Sequence, residues 1–574
     1  MAVCHYLSEK MMRLRILIVL YALHCVCQAQ VDGFKYIIEK EARGAKGAVV
    51  SAHPLASQAG MLMLKKGGNA FDAAIATQWA LAVVYPGAGN IGGGGFMVAT
   101  LKDQKPVALD YREMAPSAAF RDMYLDEKGE PDSEKSLYGH LSCGVPGTVA
   151  GLFASHRFAK LPMKVLIQPA IDLAAHGFSI TSAEARSLNY TQSSFKKYNT
   201  VAPVFVKNTV WKEGDTLLQK DLANTLKRIR DRGAKGFYEG ETAEMIVAEM
   251  QRGKGLITLN DLKNYKAKFR EPVIFSYRNH EIIGMPMPSS GGLLINQMLK
   301  MIEPFDVASM NFQTPASVQL MIEVERRAYA DRAKYMGDAD FYKVPVAALT
   351  SEHYLKSRMN DYLPGKAGNS SLVAEGVVPG YESEETTHLS VIDNEGNAVS
   401  VTTTLNNNYG SKTVVGGAGF LLNDEMDDFS AKPGSPNLFG AVGGKANAIE
   451  PGKRMLSSMT PTIVLKNKMP FLVVGTPGGT TIPTSVFQTI VNIIDFKMTT
   501  DAAVNSPKFH HQWLPDEVFV EKNFDEKTSN VLKKMGYTIS PRGQIGRTEV
   551  IKVLPDGSFE AVADHRGDDS AAVW

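Results

Sequence analysis

The chain has 574 residues, 44% of them hydrophobic, with Lys+Arg 62 against Asp+Glu 60 and a formal net charge of +2. That length is far beyond the roughly 40 residues below which a domain needs staples, so a large core is feasible. The balanced charge gives no electrostatic pull toward nucleic acid or an anionic membrane, and neither is expected as a partner.

Residues 1–29 read as a signal peptide. Lys10, Arg13 and Arg15 precede an apolar run from Ile16 to Val26 that ends in Cys27, Gln28 and Ala29. The run falls short of the roughly 20 residues of a membrane span, with a retained anchor as the alternative. An exported protein, periplasmic or secreted, is expected. Cys4, Cys25 and Cys27 lie in this segment, which leaves Cys143 alone in the mature chain. No internal disulfide can then form, and Cys143 reads as a buried structural thiol.

From Ala52 to Val84 the pattern is helical, with a stop and restart at Gly67-Gly68-Asn69. The Gly92–Gly95 run that follows lacks the Gly-Lys-Ser/Thr ending of a phosphate loop and follows a helix, so it reads as tight packing before a strand at Phe96–Leu101. Leu161–Leu349 reads as helices such as Asp221–Arg232 and Val318–Tyr335, joined by loops such as Pro286–Gly292. Its histidines, like His53 and His140 before it and His353 after, lack the short spacings of zinc ligands and are taken as solvated or capping. Lys366–Glu385, rich in Gly, Ser and acidic residues, reads as an exposed connector suited to a chain break.

After the connector, Thr386–Asp393 and Asn397–Thr404 read as two strands around the loop Asn394-Glu395-Gly396, where Gly396 suits a left-handed position. If Asp393 faces Asn397, Thr404 falls opposite Thr386 on one face of the sheet, within a slip of one residue. From the hairpin alone, a plain Thr/Thr cross-strand pair in an edge hairpin is the favoured reading.

Several segments, in order, carry a resemblance: Gly92–Gly95, Leu109–Pro116, Ser289–Gly292, Thr386-Thr387-His388, Asn423–Ser430, Leu456–Met459 and Thr476–Thr480. Over about Ala48 to Trp513 the chain resembles the γ-glutamyltransferases. The resemblance implies an α+β fold of the N-terminal nucleophile hydrolase type, a four-layer αββα sandwich whose two stacked, mainly antiparallel sheets are shared by both processed chains. It also implies self-cleavage between Glu385 and Thr386 into a large subunit (30–385) and a small subunit (386–574), neither of which folds alone.

By the same resemblance Thr386 is the nucleophile and its freed α-amine, with an intrinsic pKa of about 7.7 to 8.0, is the base. Thr404 positions it, and the backbone amides of Gly478 and Gly479 hold the oxyanion. Arg112, Ser457 and Ser458 match a carboxylate clamp, and Asn406, Glu425 and Asp428 match the ammonium site. Ala431–Gly444 resembles a covering loop, with Phe439 as its gate. The implied substrates are γ-glutamyl compounds such as glutathione, with water, amino acids or peptides as acceptors. No metal, nucleotide or prosthetic group is expected. Two rivals stand beside this reading: a same-fold amidase for glutaryl-type or poly-γ-glutamyl substrates, and a processed but silent amino-acid-binding protein.

Overall fold

The computed structural model describes residues 31–373, 386–432 and 444–574. The expected signal segment, Glu385 and Phe439 lie outside these residues. No helix among them is long and apolar enough to cross a membrane.

Two seven-stranded sheets form the centre. The first runs in the order 570–573, 47–51, 387–393, 398–404, 94–100, 107–110 and 268–270. The second runs 41–44, 559–563, 549–553, 469–475, 462–466, 280–284 and 273–277, and every pairing in both sheets is antiparallel. Both sheets contain strands from before and after residue 386: in the first, 387–393 pairs with 47–51 on one side and 398–404 pairs with 94–100 on the other. The apolar faces and backbone donors of either half are therefore completed only by the other half.

The layering follows from the two-residue period of a strand. In Gly94–Thr100, Phe96 and Val98 join the core between the sheets, while Met97 and Ala99 face a second core beneath the helices Pro54–Lys65 and Ala70–Val84. Val464, Leu472 and Val474 of the second sheet face a third core under Gly291–Ile302, Pro315–Tyr335 and Thr481–Ile494. Helix, sheet, sheet and helix make the four layers.

The helix break at Gly67-Gly68-Asn69 is present, with Asn69 capping the second helix through a reciprocal bond pair with Asp72. The glycine run leads into a strand beginning at Gly94, and a Cβ on Gly92 would stand 2.0 Å from the Leu421 carbonyl oxygen. Cys143 is buried.

Two expectations need correction. The middle segment holds strands as well as helices: Val273–Tyr277 and His280–Gly284 form a hairpin across Arg278-Asn279, whose φ values are 45° and 63°. That is a turn with two left-handed residues made without the usual Asn-Gly signal. The histidines divide: His53 is fully buried but does cap the helix Pro54–Lys65, its Nδ1 accepting from the Leu55 amide at 3.2 Å, whereas His140 is neither solvated nor a cap and its Nε2 meets Glu249 at 2.9 Å.

His388 faces the second sheet, where its Nδ1 is 2.9 Å from Thr402 Oγ1 and its Nε2 3.2 Å from Ser390 Oγ. Gly475 makes room for the ring: a Cβ there would lie 2.1 Å from His388 Cε1. Burial pushes both His53 and His388 down to about 3. The unfolded chain protonates these imidazoles below about pH 6.5, whereas the folded chain resists until about 3, so stability falls as pH drops through that window. From pH 7 to pH 5 each imidazole is expected to cost about 2 kcal/mol. Thermal unfolding at the two pH values should show the drop, and His388→Gln should make the dependence shallower.

Candidate active site

The hairpin register places the threonines. Thr387 pairs with Thr403 and Ile392 with Ala398, so the next step beyond the pair Thr387/Thr403 sets Thr386 against Thr404. Gly396 at the loop has φ +88°. Thr386 and Thr404 carry the parity of His388 and Thr402, which puts them on the inter-sheet side at the open end of the hairpin. Both line one recess with Arg112, Arg332, Asn406, Glu425, Asp428, Ser457, Ser458 and Gly479.

Each wall is fixed by buried bonds. Thr404 Oγ1 accepts from the Asn406 amide at 2.8 Å, and Asn406 Nδ2 donates to the Asp424 carbonyl at 3.0 Å. Asn406 has φ +77°, a conformation asparagine tolerates better than most residues. The acidic loop hangs from Asn423: its Oδ1 accepts from the Gly144 and Glu425 amides, and its Nδ2 donates to the Gly92 and Gly144 carbonyls. The glycine run and the segment after Cys143 thus position Glu425 and Asp428. Arg112 is oriented through its amide, which donates to Asp110 Oδ1 at 3.0 Å, and Asp110 is itself paired with Arg270 and Arg454.

The two groups of pocket residues do not stand apart in this structure. Arg112 forms ion pairs with both Glu425 and Asp428, and its Nη1 lies 3.6 Å from Glu113. All four side chains are buried, or nearly so for Asp428. Burial pushes Glu113 up to about 8 and raises Glu425 and Asp428, while the Arg112 charge pulls all three the other way.

Opposite these groups, Pro477-Gly478-Gly479 leads into the helix Thr481–Ile494. Gly478 and Gly479 have φ +135° and +54°, which a side chain would strain, and the Gly478 carbonyl accepts from the Thr481 amide at 2.9 Å. The Ile482 amide is likewise taken by the Gly479 carbonyl at 3.3 Å, and the positive dipole end of this helix borders the recess that holds Thr386. Beneath it, Thr480 Oγ1 donates to Gln512 Oε1 at 2.6 Å, and Gln512 is held in turn by His510 at 2.9 Å. On its other side Thr386 borders a second recess of about 230 Å³, lined also by Tyr85, Glu184, Tyr409, Gly478 and Arg547.

Sequence reasoning missed Arg332 as a pocket residue and Asn423 as the anchor of the acidic loop. Arg332 lies in Pro315–Tyr335, a helix that buries Glu323, Glu325, Arg326, Arg327 and Arg332. Burial is not legible in the sequence, so nothing there set Arg332 apart from a surface charge.

A threonine heading a central strand of two stacked sheets, with helices on both outer faces, defines an N-terminal nucleophile hydrolase. The profile of the family described as Gamma-glutamyltranspeptidase matches residues 56–574, so the similarity continues past Trp513 to the last residue. The glutathione hydrolase proenzyme of Escherichia coli (strain K12) is 47% identical over 530 residues, covering 92% of this chain and 91% of that protein. The crystal structure of cephalosporin acylase from Bacillus halodurans superposes with a TM-score of 0.82 at 26% identity, over 94% of this chain and 98% of that one. A chain of Helicobacter pylori gamma-glutamyltranspeptidase gives 0.56 at 43% identity, over 59% of this chain and 97% of that one. The chain belongs to the gamma-glutamyltranspeptidase family.

Removing the Arg112 guanidinium leaves Glu113, Glu425 and Asp428 buried against one another. Arg112→Leu is expected to cost about 3–5 kcal/mol of stability. Chemical denaturation at pH 7 checks this, and a smaller loss at pH 5, where the carboxylates take up protons, is the accompanying expectation.

Proposed function

We propose that Thr386 is the nucleophile of an autoprocessing γ-glutamyltransferase that transfers the γ-glutamyl group of glutathione and related amides to water, amino acids or peptides. The observation that carries this reading is the convergence of Thr386, Thr404, Arg112, Glu425, Asp428, Ser457, Ser458 and Gly479 on one recess.

In the precursor, the Thr386 hydroxyl attacks the Glu385 carbonyl, the peptide bond becomes an ester, and water opens it to leave 30–385 and 386–574 as associated chains. The freed α-amine then takes the proton from its own hydroxyl as Oγ attacks the substrate amide. The Gly478 and Gly479 amides hold the oxyanion; losing one such donor costs about 2.7–4 kcal/mol of transition-state stabilisation. Collapse of the intermediate expels the amine, which receives the proton, and leaves a γ-glutamyl-threonine ester. Water or an acceptor amine then attacks that ester. The recess on the far side of Thr386 gives the departing amine and the incoming acceptor room beside the ester.

The glutamyl head binds by exchange of ion pairs. The recess encloses only about 30 Å³ while Arg112 holds Glu425 and Asp428. A substrate α-carboxylate takes over Arg112 with Ser457 and Ser458, and its ammonium takes over Asp428, Glu425 and Asn406. Because a zwitterion brings one charge of each sign, both halves of the internal pair are replaced together. A glutaryl side chain has no ammonium and would leave the acids unpaired, which argues against the amidase reading despite the shared fold with cephalosporin acylase. Ala431–Gly444, with Phe439, is the proposed cover, and export under the 1–29 signal is the proposed route.

Intact mass of wild type and Thr386→Ala, with release of a chromogenic amine from a γ-glutamyl anilide, tests the reading. Wild type should give two fragments, the smaller beginning at Thr386, and turnover; the variant should stay whole and inactive. An uncut but active wild type would overturn the mechanism.

A further inference from the structure

Arg332 sits in the last turn of Pro315–Tyr335, 7% exposed, and borders the same recess as Thr386 and Arg112. Its Nε donates to Ser290 Oγ at 3.1 Å and its Nη2 to Ser458 Oγ at 3.0 Å. Ser290 Oγ passes its own proton to the Ser457 carbonyl at 2.8 Å, so one guanidinium braces both residues of the Ser457-Ser458 step.

Proton direction gives this bracing a chemical consequence. A guanidinium has donors and no acceptor, so the Ser458 hydroxyl can only accept from it and must send its own proton elsewhere. Ser457 is in the same position, because its Oγ accepts from the Met459 amide at 3.1 Å. No carbonyl or carboxylate among the described residues takes either proton. Two hydroxyls whose free protons border one buried recess form a site for an anion, and Arg332 adds a second positive charge beside that of Arg112. The Arg332 charge also favours the ionised form of Asp428, which keeps the opposite end of the recess negative.

We infer that Arg332 is a specificity-determining positioning residue: it orients Ser458 directly, and Ser457 through Ser290, so that both donate to the α-carboxylate of the γ-glutamyl group. The inference rests on the donor-site reading proposed above. It predicts that Arg332 matters for substrates that carry the α-carboxylate and little for those that lack it.

The test compares a γ-glutamyl anilide with a 4-aminobutanoyl anilide, which keeps the ammonium and lacks the carboxylate, on processed wild type, Arg332→Gln, Arg332→Lys and Ser458→Ala. Wild type should strongly prefer the glutamyl substrate. Arg332→Gln should lose about 10- to 100-fold in kcat/KM on that substrate, mainly through KM, and change less than about threefold on the other. Ser458→Ala should show the same selective loss, and Arg332→Lys should recover part of the preference. A purely structural role would lower both substrates equally, and that result, or an unchanged ratio in Arg332→Gln, overturns the inference. Should Arg332→Gln fail to accumulate, Ser290→Ala reads the same ratio, and an unchanged ratio there overturns it too. A wild type that treats both anilides alike would instead sink the donor-site reading, whereas a selective wild type with unselective losses sinks only the role of Arg332.

Discussion

The antiparallel pairing of 387–393 with 398–404 holds the rest of this molecule in place. Its register sets Thr386 against Thr404, its parity turns both toward the space between the sheets, and its outer edges are closed by 47–51 and 94–100, both from before residue 386. A slip of one residue would carry His388, Ser390, Thr402 and Thr404 from the inter-sheet face to the helix-covered face. That face already holds Leu389, Val391, Val399 and Val401, so the apolar pattern itself forbids the slip. The placement of Thr386 and Thr404 and the core packing are thereby specified by the same alternation.

Charge is the second constraint. Arg112, Glu113, Glu425 and Asp428 come from segments far apart in the chain and meet in a volume from which water is largely excluded. Buried charges are tolerated only when paired, and here the pairs are internal to the pocket. A pocket organised this way has its charges compensated without ligand, and under the proposed function a ligand with both signs replaces the internal pairs without leaving a buried charge alone. The bracing of Arg112 by Asp110 and of the acidic loop by Asn423 is what lets such a cluster keep its shape.

Much of this was legible in the chain itself. The helix break at Gly67-Gly68-Asn69, the hairpin with Gly396 at its bend and the glycines of 478–479 each depend on local backbone chemistry, and local chemistry is written in adjacent residues. The hairpin at Arg278-Asn279 was not legible, because its two left-handed residues lack the Gly that usually announces them. Arg332 and Asn423 were missed for a different reason: an arginine on a helix and an asparagine in a loop look like surface residues until the segments they touch, Ser290 and Ser458 or Gly92 and Gly144, are brought beside them.

By itself the sequence determined the hairpin and, within a slip of one residue, its register, because turn chemistry and strand alternation are properties of neighbouring positions; the candidate pocket residues came from the family resemblance. Only the tertiary structure decided that Arg112 pairs with Glu425 and Asp428, which strands from either side of residue 386 neighbour one another in each sheet, and that Arg332 faces the pocket. Those facts depend on contacts between residues hundreds of positions apart, and such contacts are set by which faces the folded chain can bury together.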